Sequence, residues 1–392
     1  MAILSVGQNQ AYATISAAVA ASSAGDTITV NAGTYTNDWL QIDHDLTLIA
    51  QGGWVKLLAT AQPPDGKAYI TESGNVTISG FDISGVTVPD ANGAGIRYQG
   101  GNLTLDNVFI HDNQDGILAA ADPAGNITIT NSEFSHNGIG GDGHTHNIYV
   151  GPLNTFTLTN SYIHDAVIGH EVKSRATNNV ITGNRIFDNA GSASYSIDLP
   201  NGGNATIANN IIQQGPNTQN PAIIAYGEEG NLIANASATI DGDTIINDRS
   251  SGTSLWNATN VPVTYTNINV FGSQAVSGPV TPSNIVTLAD RPVLDLAPIA
   301  FLGSGASPPP SPSPPPPEQP PPPIPPMPTP DPPPSPVLSP LEQYHATILA
   351  DFAAWAALNP KLSTKPQTLK VFSKEMNSTT VLGVIPGDRW SN

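Results

Sequence analysis

The chain contains no cysteine in 392 residues, which excludes a disulfide scaffold, a thiolate metal site and a cysteine nucleophile. Charge is scarce as well, with Asp, Glu, Lys and Arg at only 11 % of residues. Cations are scarcest: 13 Lys and Arg stand against 31 Asp and Glu, a net charge of −18. So acidic a chain is a poor match for nucleic acid, whose phosphates draw on clustered Lys and Arg. No run approaches the roughly 18 apolar residues of a membrane helix. The opening MAILSVGQNQ has no charged start before an apolar core, so no secretory signal peptide is read there. Glycine (36) and proline (37) are plentiful, which argues against a helical bundle and for an extended, turn-rich chain.

Most of the prolines fall in one place. Residues 307–338 are so Pro-rich that they cannot bury a core, and they read as a stiff polyproline II linker. Residues 339–392 follow as a small C-terminal segment. Its start, Ser339-Pro340-Leu341-Glu342, has the cap, first-turn proline and returning glutamate of a helix N-terminus. Leu341, Tyr344, Ile348, Phe352 and Trp355 then share one helical face, which reads as packing surface.

Residues 1–306 are organised by a repeat. The phrase NVTISGFDISGV (75–86) recurs as NLTLDNVFIHDN, NITITNSEFSHN, TFTLTNSYIHDA, NNVITGNRIFDN, NATIANNIIQQG and SATIDGDTIIND, and more weakly as PVTYTNINVFGS. Successive starts are 27, 24, 29, 23, 26, 33 and 25 residues apart. The fourth place is Ile or Leu throughout, from Ile78 to Ile240, and the ninth is Ile or Phe, from Ile83 to Ile245. The sixth is always Gly or Asn, the residues that tolerate a left-handed bend. Two short strands with a bend between them cannot bury their apolar side alone. Stacked about 4.8 Å apart, identical turns bury every one in a continuous core. The period therefore predicts a parallel β-solenoid, with a third strand in the variable remainder of each turn. A propeller would need repeats of about 40 residues or more.

Ala11–Ser23 reads as a short amphipathic helix, placed to cover the open end of the stack and its unpaired strand edges. The surrounding SVGQNQAYATISAAVAASSAGDTITVNAGTYTN resembles the entry segment of right-handed parallel β-helix proteins, the pectate-lyase-like group. That resemblance implies the hand. The expected fold is all-β: a single-stranded right-handed parallel β-helix with an N-terminal capping helix, followed by the linker and a small helical C-terminal segment.

Aligning the third strands on their inward aliphatic residue gives Ile96, Ile117, Ile148, Val172, Ile197 and Ile224. Neighbours of an inward residue face outward. One place later come Arg97, Leu118, Tyr149, Lys173, Asp198 and Ala225, and one place earlier Asn147, Glu171 and Ser196. Two places earlier stand Asp115, His146, His170 and Tyr195, and three later Gln99 and Arg175. Residues on adjacent strands are neighbours, so Tyr149, Lys173 and Asp198 are expected as one ladder and His146, His170 and Tyr195 as another. Residues 1–306 hold only eight cations, and Arg97, Lys173, Arg175 and Arg185 all belong to the middle turns. Asn107, Asn131, Asn160 and Asn209 read as structural turn ladders. Asp82, Glu133, Tyr162 and Arg185 read as plain surface, and Glu228 and Glu229 as a loop first and as binders of substrate or metal second.

A groove carrying Lys, Arg, Tyr, His and a few carboxylates suits β-elimination of an acidic polysaccharide. The uronate carboxylate is neutralised, a base removes the α-proton, and an acid assists the leaving O4. Lys173 serves as base if cations such as Arg175 or desolvation lower its pKa. Tyr149 or Tyr195 would be the acid, and His146 and His170 base or carboxylate neutralisers. Arg97, Arg175, Asp198, Asn147, Glu171 and Asp115 would bind substrate. Hydrolysis would need two carboxyl groups about 5 to 9.5 Å apart, for which Glu171 and Asp198 are the candidates.

The segment EVKSRATNNVITGNRIFDNAGSASYSIDLPNGGNATIANN (171–210) resembles the central segment of alginate lyases of polysaccharide lyase family six and of related chondroitin lyases. The family's Lys acts as base beside Ca²⁺ held by acidic residues. The resemblance implies Lys173 as base and Glu171 in the calcium neighbourhood. Where the family's next turn carries Arg followed by His and Gly, this chain reads Tyr195 to Asn201. Mannuronan C5-epimerases share the proton abstraction, but their Asp-Pro-His motif is absent. The expectation is a secreted or cell-surface bacterial enzyme, monomeric, acting on an acidic polysaccharide. The rivals are a glycoside hydrolase and a non-catalytic carbohydrate-binding adhesin.

Overall fold

The computed structural model describes residues 1–140, 144–249, 251–272 and 275–303, and the backbone of Gln367–Ser373 and Ser378–Ile385. The Pro-rich stretch and the helix expected after Ser339 lie outside these residues. Gln367–Ser373 and Ser378–Ile385 form an antiparallel pair, an element the sequence pattern did not signal.

The first unit is a coil of parallel strands, three to each turn. One complete turn runs through Leu153–Thr159, Tyr162–His164 and Val172–Ser174, and each strand pairs with its equivalent one turn on. The expected columns are in register. Ile78, Leu105, Ile129, Leu158, Ile181, Ile207 and Ile240 stack one on another in the first sheet. Ile83, Ile110, Phe134, Ile163, Ile186, Ile212 and Ile245 do so in the second. All of these are at most 1 % exposed, each worth about 1.5–3 kcal/mol of burial. The residue at the bend has positive φ in every turn, as at Asn107 (53°), Asn160 (51°) and Gly242 (73°).

Beside that bend runs a polar ladder that hydrophobic patterning does not reveal. At the seventh place of the phrase, Asn184 Nδ2 donates to Asn210 Oδ1, and Asn210 Nδ2 donates to Asp243 Oδ1, each at 2.9 Å. These side chains also take the backbone N–H of the preceding turn, satisfying groups that the bend removes from the ladder.

The capping helix is shorter than expected, Ile15–Ala21. Thr14 caps Ala17 N, and the Asp38 carboxylate takes the N–H groups of Ile15 and Ser16, so the helix begins there. Residues before it are held by strand-like pairing, with Tyr12 bridged to Val6. Ile15, Ala18 and Val19 are the buried face.

After the last strand of the coil, residues 288–303 run back over the second sheet. Ile299 N donates to Glu133 Oε2, Arg185 Nη1 to the Asp295 carbonyl, and Leu302 N to Asn107 Oδ1. The column Asp82, Glu133, Tyr162 and Arg185 is thus partly a seat for this strap. The third sheet remains as the face on which the polar columns gather.

Candidate active site

On the third sheet Ile96, Ile117, Ile148, Val172, Ile197 and Ile224 are paired in sequence. Their outward neighbours follow, with Tyr149 opposite Lys173 and Lys173 opposite Asp198. Stretches distant in sequence therefore meet in one patch. Lys173 Nζ is 2.8 Å from Asp198 Oδ2 and 2.7 Å from Glu229 Oε1. Asp198 Oδ2 also lies 3.4 Å from His170 Nε2. Arg175 spans the patch: its guanidinium donates to Glu229 Oε2 (2.6 Å), Tyr149 Oη (3.1 Å) and Asn201 Oδ1 (2.8 Å).

The second ladder is aromatic. Tyr149 stacks on His146 at 5.5 Å between centroids, His146 lies 4.8 Å from His170, and His170 stacks on Tyr195 at 5.4 Å. His146 Nδ1 accepts the backbone N–H of His170 at 3.0 Å, which leaves its proton on Nε2. Burial and the Lys173 charge push His146 down to about 3, and burial with the neighbouring His146 holds His170 well below its usual range. Both rings are neutral at pH 7. They cannot act as the cationic carboxylate neutralisers expected of them. Tyr195 is pushed up to about 12, chiefly by burial and then by Glu228 and Asp198, and stays protonated.

The structure changes the role of Lys173 in the resting site. Burial disfavours its charge, but Asp198 and Glu229 more than compensate and raise its pKa, so it is held as an ammonium. Arg175 does not lower that pKa as expected, because its guanidinium is spent on Glu229, Tyr149 and Asn201.

Three expected substrate contacts are misplaced. Asn147 is completely buried; its amide takes Asn137 and gives to the His164 carbonyl and Glu171, an internal polar ladder. Glu171 is completely buried too, accepting from Asn147 and from Ala166 N, with burial and Asp188 raising its pKa. It faces neither groove nor cation, and the pairing of Glu171 with Asp198 for hydrolysis falls with it. Asp115 is 1 % exposed, takes His146 N, and is raised to about 8 by burial. Asn147 and Glu171 lie one place before their strands, in a corner of the coil where the chain turns inward, whereas Asp115 opens the strand Asp115–Ala119 and, two places before Ile117, shares its inward face. Arg97 does stand on the outward column, two strands before Tyr149 with Leu118 between.

The residues that sequence reasoning undervalued are Glu228 and Glu229. They follow the strand Ala222–Tyr226, and with Asp198 they offer carboxylate oxygens all within 4.8 Å of one another. Burial, then the Asp198 charge, raises Glu228, while Lys173 and Arg175 hold Glu229 below its ordinary value against burial. The signal was there: two adjacent acids just past the Asp198 column, opposite the rare cations. Three carboxylates whose oxygens lie this close together, two of them now paired with the Lys173 ammonium, form a donor set that suits a hard divalent cation.

A family profile described as "Right handed beta helix region" matches residues 66–236. No curated protein matches the chain. Among solved structures, it resembles an alginate lyase from Paenibacillus sp. str. FPU-7, with 16 % identity over 71 % of this chain and 99 % of that one, TM-score 0.53. Others are the pectate lyase Pel9A (14 %, 73 % and 78 %, TM-score 0.43) and a pectin methylesterase from Aspergillus niger (12 %, 75 % and 91 %, TM-score 0.36). At these identities the likeness is one of fold. The coil is a right-handed parallel β-helix.

Proposed function

We propose that the chain is a polysaccharide lyase that cleaves a uronate-containing polymer by β-elimination at the Tyr149–Lys173–Asp198 ladder. The observation that carries this reading is the convergence of Tyr149, Lys173, Arg175, Asp198 and Glu229 from successive turns into one hydrogen-bonded and ion-paired patch. Lys173 sits between Asp198 and Glu229 at 2.8 and 2.7 Å, in the space where a hydrolytic carboxyl pair would need its sugar and water. This favours elimination over hydrolysis.

Asp198, Glu228 and Glu229 would hold Ca²⁺ or a similar hard cation, which when bound neutralises the uronate carboxylate and acidifies the adjacent C–H. With those carboxylates engaged by a cation, Lys173 would lose the two charges that keep it an ammonium, and its burial would favour the free amine. Lys173 then takes the α-proton and the C–O4 bond breaks as the double bond forms. Tyr149, whose oxygen already accepts from Arg175, gives its own proton to the leaving O4. Arg97 and Arg175 supply a local cationic field within a chain whose overall −18 would repel a polyanion. A secreted or surface location follows from such a substrate; among the described residues no helix is long and apolar enough to cross a membrane.

The test is incubation with a panel of uronate polymers. Ultraviolet absorbance of an unsaturated product supports the reading. New reducing ends without that absorbance would indicate hydrolysis, and glycan binding without cleavage an adhesin; either would overturn it.

A further inference from the structure

The outward column of the third sheet does not end at Asp198. It continues through Ala225 to Trp256, paired in register one strand after another. Of the tryptophans in the described residues, Trp39 packs against Tyr69 and Trp54 against Phe301. Among the described residues Trp256 has no such aromatic partner, and it is partly exposed on the groove side of the strand Thr253–Asn257. Its neighbours in register are small, Ala225 on one side and Ser277 on the other. Asp198 and Ala225 are both completely buried, so the next side chain of this column that a ligand meets after Lys173 is the indole.

We infer that Trp256 is a stacking platform for a pyranose ring of the bound polymer, on the side of the reactive residues opposite Tyr149. The inference rests on the function proposed above. A polymer touching Tyr149 and Lys173, with Asp198 buried beneath them, must run across the strands, along the coil axis. Strands are about 4.8 Å apart, which places Trp256, three strands on, about 14 Å beyond Lys173. One strand spacing is close to the length of one sugar in an extended polysaccharide, so the ring over Trp256 lies about three sugars from the one at Lys173. An indole offers a flat apolar surface to the C–H face of a sugar and loses little rotamer freedom in doing so. The groove is thereby asymmetric: cationic at the Arg97 end, aromatic at the other.

The experiment compares wild type, Trp256→Ala and Trp256→Phe on the polymer the wild type cleaves and on its oligomers of graded length. The expected result is a rise in KM of about tenfold for Trp256→Ala on the polymer, with a smaller loss in kcat and near-complete rescue by Trp256→Phe. The penalty grows with oligomer length and levels off once the substrate reaches Trp256. An unchanged KM on the polymer, or an equal penalty at every length, overturns the inference while the lyase reading stands. A wild type inert on every substrate removes that reading and this inference together, and is seen in the wild-type arm alone.

Discussion

Lys173 and Asp198 face each other in register on adjacent strands, with Nζ 2.8 Å from Oδ2 and the aspartate fully buried. The pair joins fold and chemistry in one contact. Lys173→Ala should lower kcat/KM by at least about 100-fold, the usual scale for losing an acid–base group. It should also destabilise the coil by about 3–5 kcal/mol, because a buried carboxylate is left without its cation. The double variant Lys173→Met with Asp198→Asn separates the two effects: thermal stability returns, activity does not. Activity retained in Lys173→Ala would remove Lys173 as the base.

Cation binding is checked by calorimetric titration with CaCl₂. The Asp198, Glu228 and Glu229 oxygens should take up Ca²⁺, and because burial and Asp198 raise the Glu228 pKa, binding should expel a proton. Affinity therefore increases with pH, and the heat changes with the ionisation enthalpy of the buffer. Glu228→Gln should weaken binding by about tenfold, and removal of Ca²⁺ by chelation should lower the melting temperature. No heat with the wild type, at any pH, rejects the site.

A buried carboxyl elsewhere sets the pH range of stability. Glu72 is 1 % exposed, opposite Tyr98 in the sheet, with neither oxygen hydrogen-bonded, and burial raises it to about 8. The native state holds this proton more tightly than the unfolded chain does. Its contribution is fully present below the ordinary glutamate pKa and is lost as pH rises toward about 8. Glu72→Gln should leave stability at pH ~5 nearly unchanged and raise it at pH ~9 by something on the order of 3 kcal/mol. Denaturant unfolding at both pH values measures the difference, and parallel pH profiles for the two proteins would refute it.

The seventh-place ladder gives a purely structural expectation. Asn210→Ala leaves Asn184 N and the Ile181 carbonyl without their partners. Each orphaned buried group costs about 1–3 kcal/mol, so a loss of about 3 kcal/mol in urea unfolding is expected, with the Asn209→Gly variant at the neighbouring bend costing far less. Equal losses at both positions would show that the ladder carries no special weight.

How far the sequence was legible depended on which force placed each residue. The Ile and Leu columns were readable because burial repeats with the turn, so Ile78 to Ile240 and Ile96 to Ile224 fell into register as expected. The Tyr149–Lys173–Asp198 ladder came with them, since an outward residue next to an inward one inherits its register. Asn147 and Glu171 were misread because strand alternation was carried past the strand into a corner, where the backbone turns the side chain inward; Asp115, two places before Ile117 in one strand, shares the inward face of that residue.

Glu228 and Glu229 lie past the strand end on a loop whose path has no period. Only the folded loop brings Glu229 to Lys173 and Arg175. The repeat alone, through apolar side chains that must leave water, determined the stacked coil and the order of residues along its faces. The tertiary structure decided which polar groups meet and which are charged. Ion pairing and desolvation act over a few ångströms, and a pattern along the chain does not encode such distances between loops.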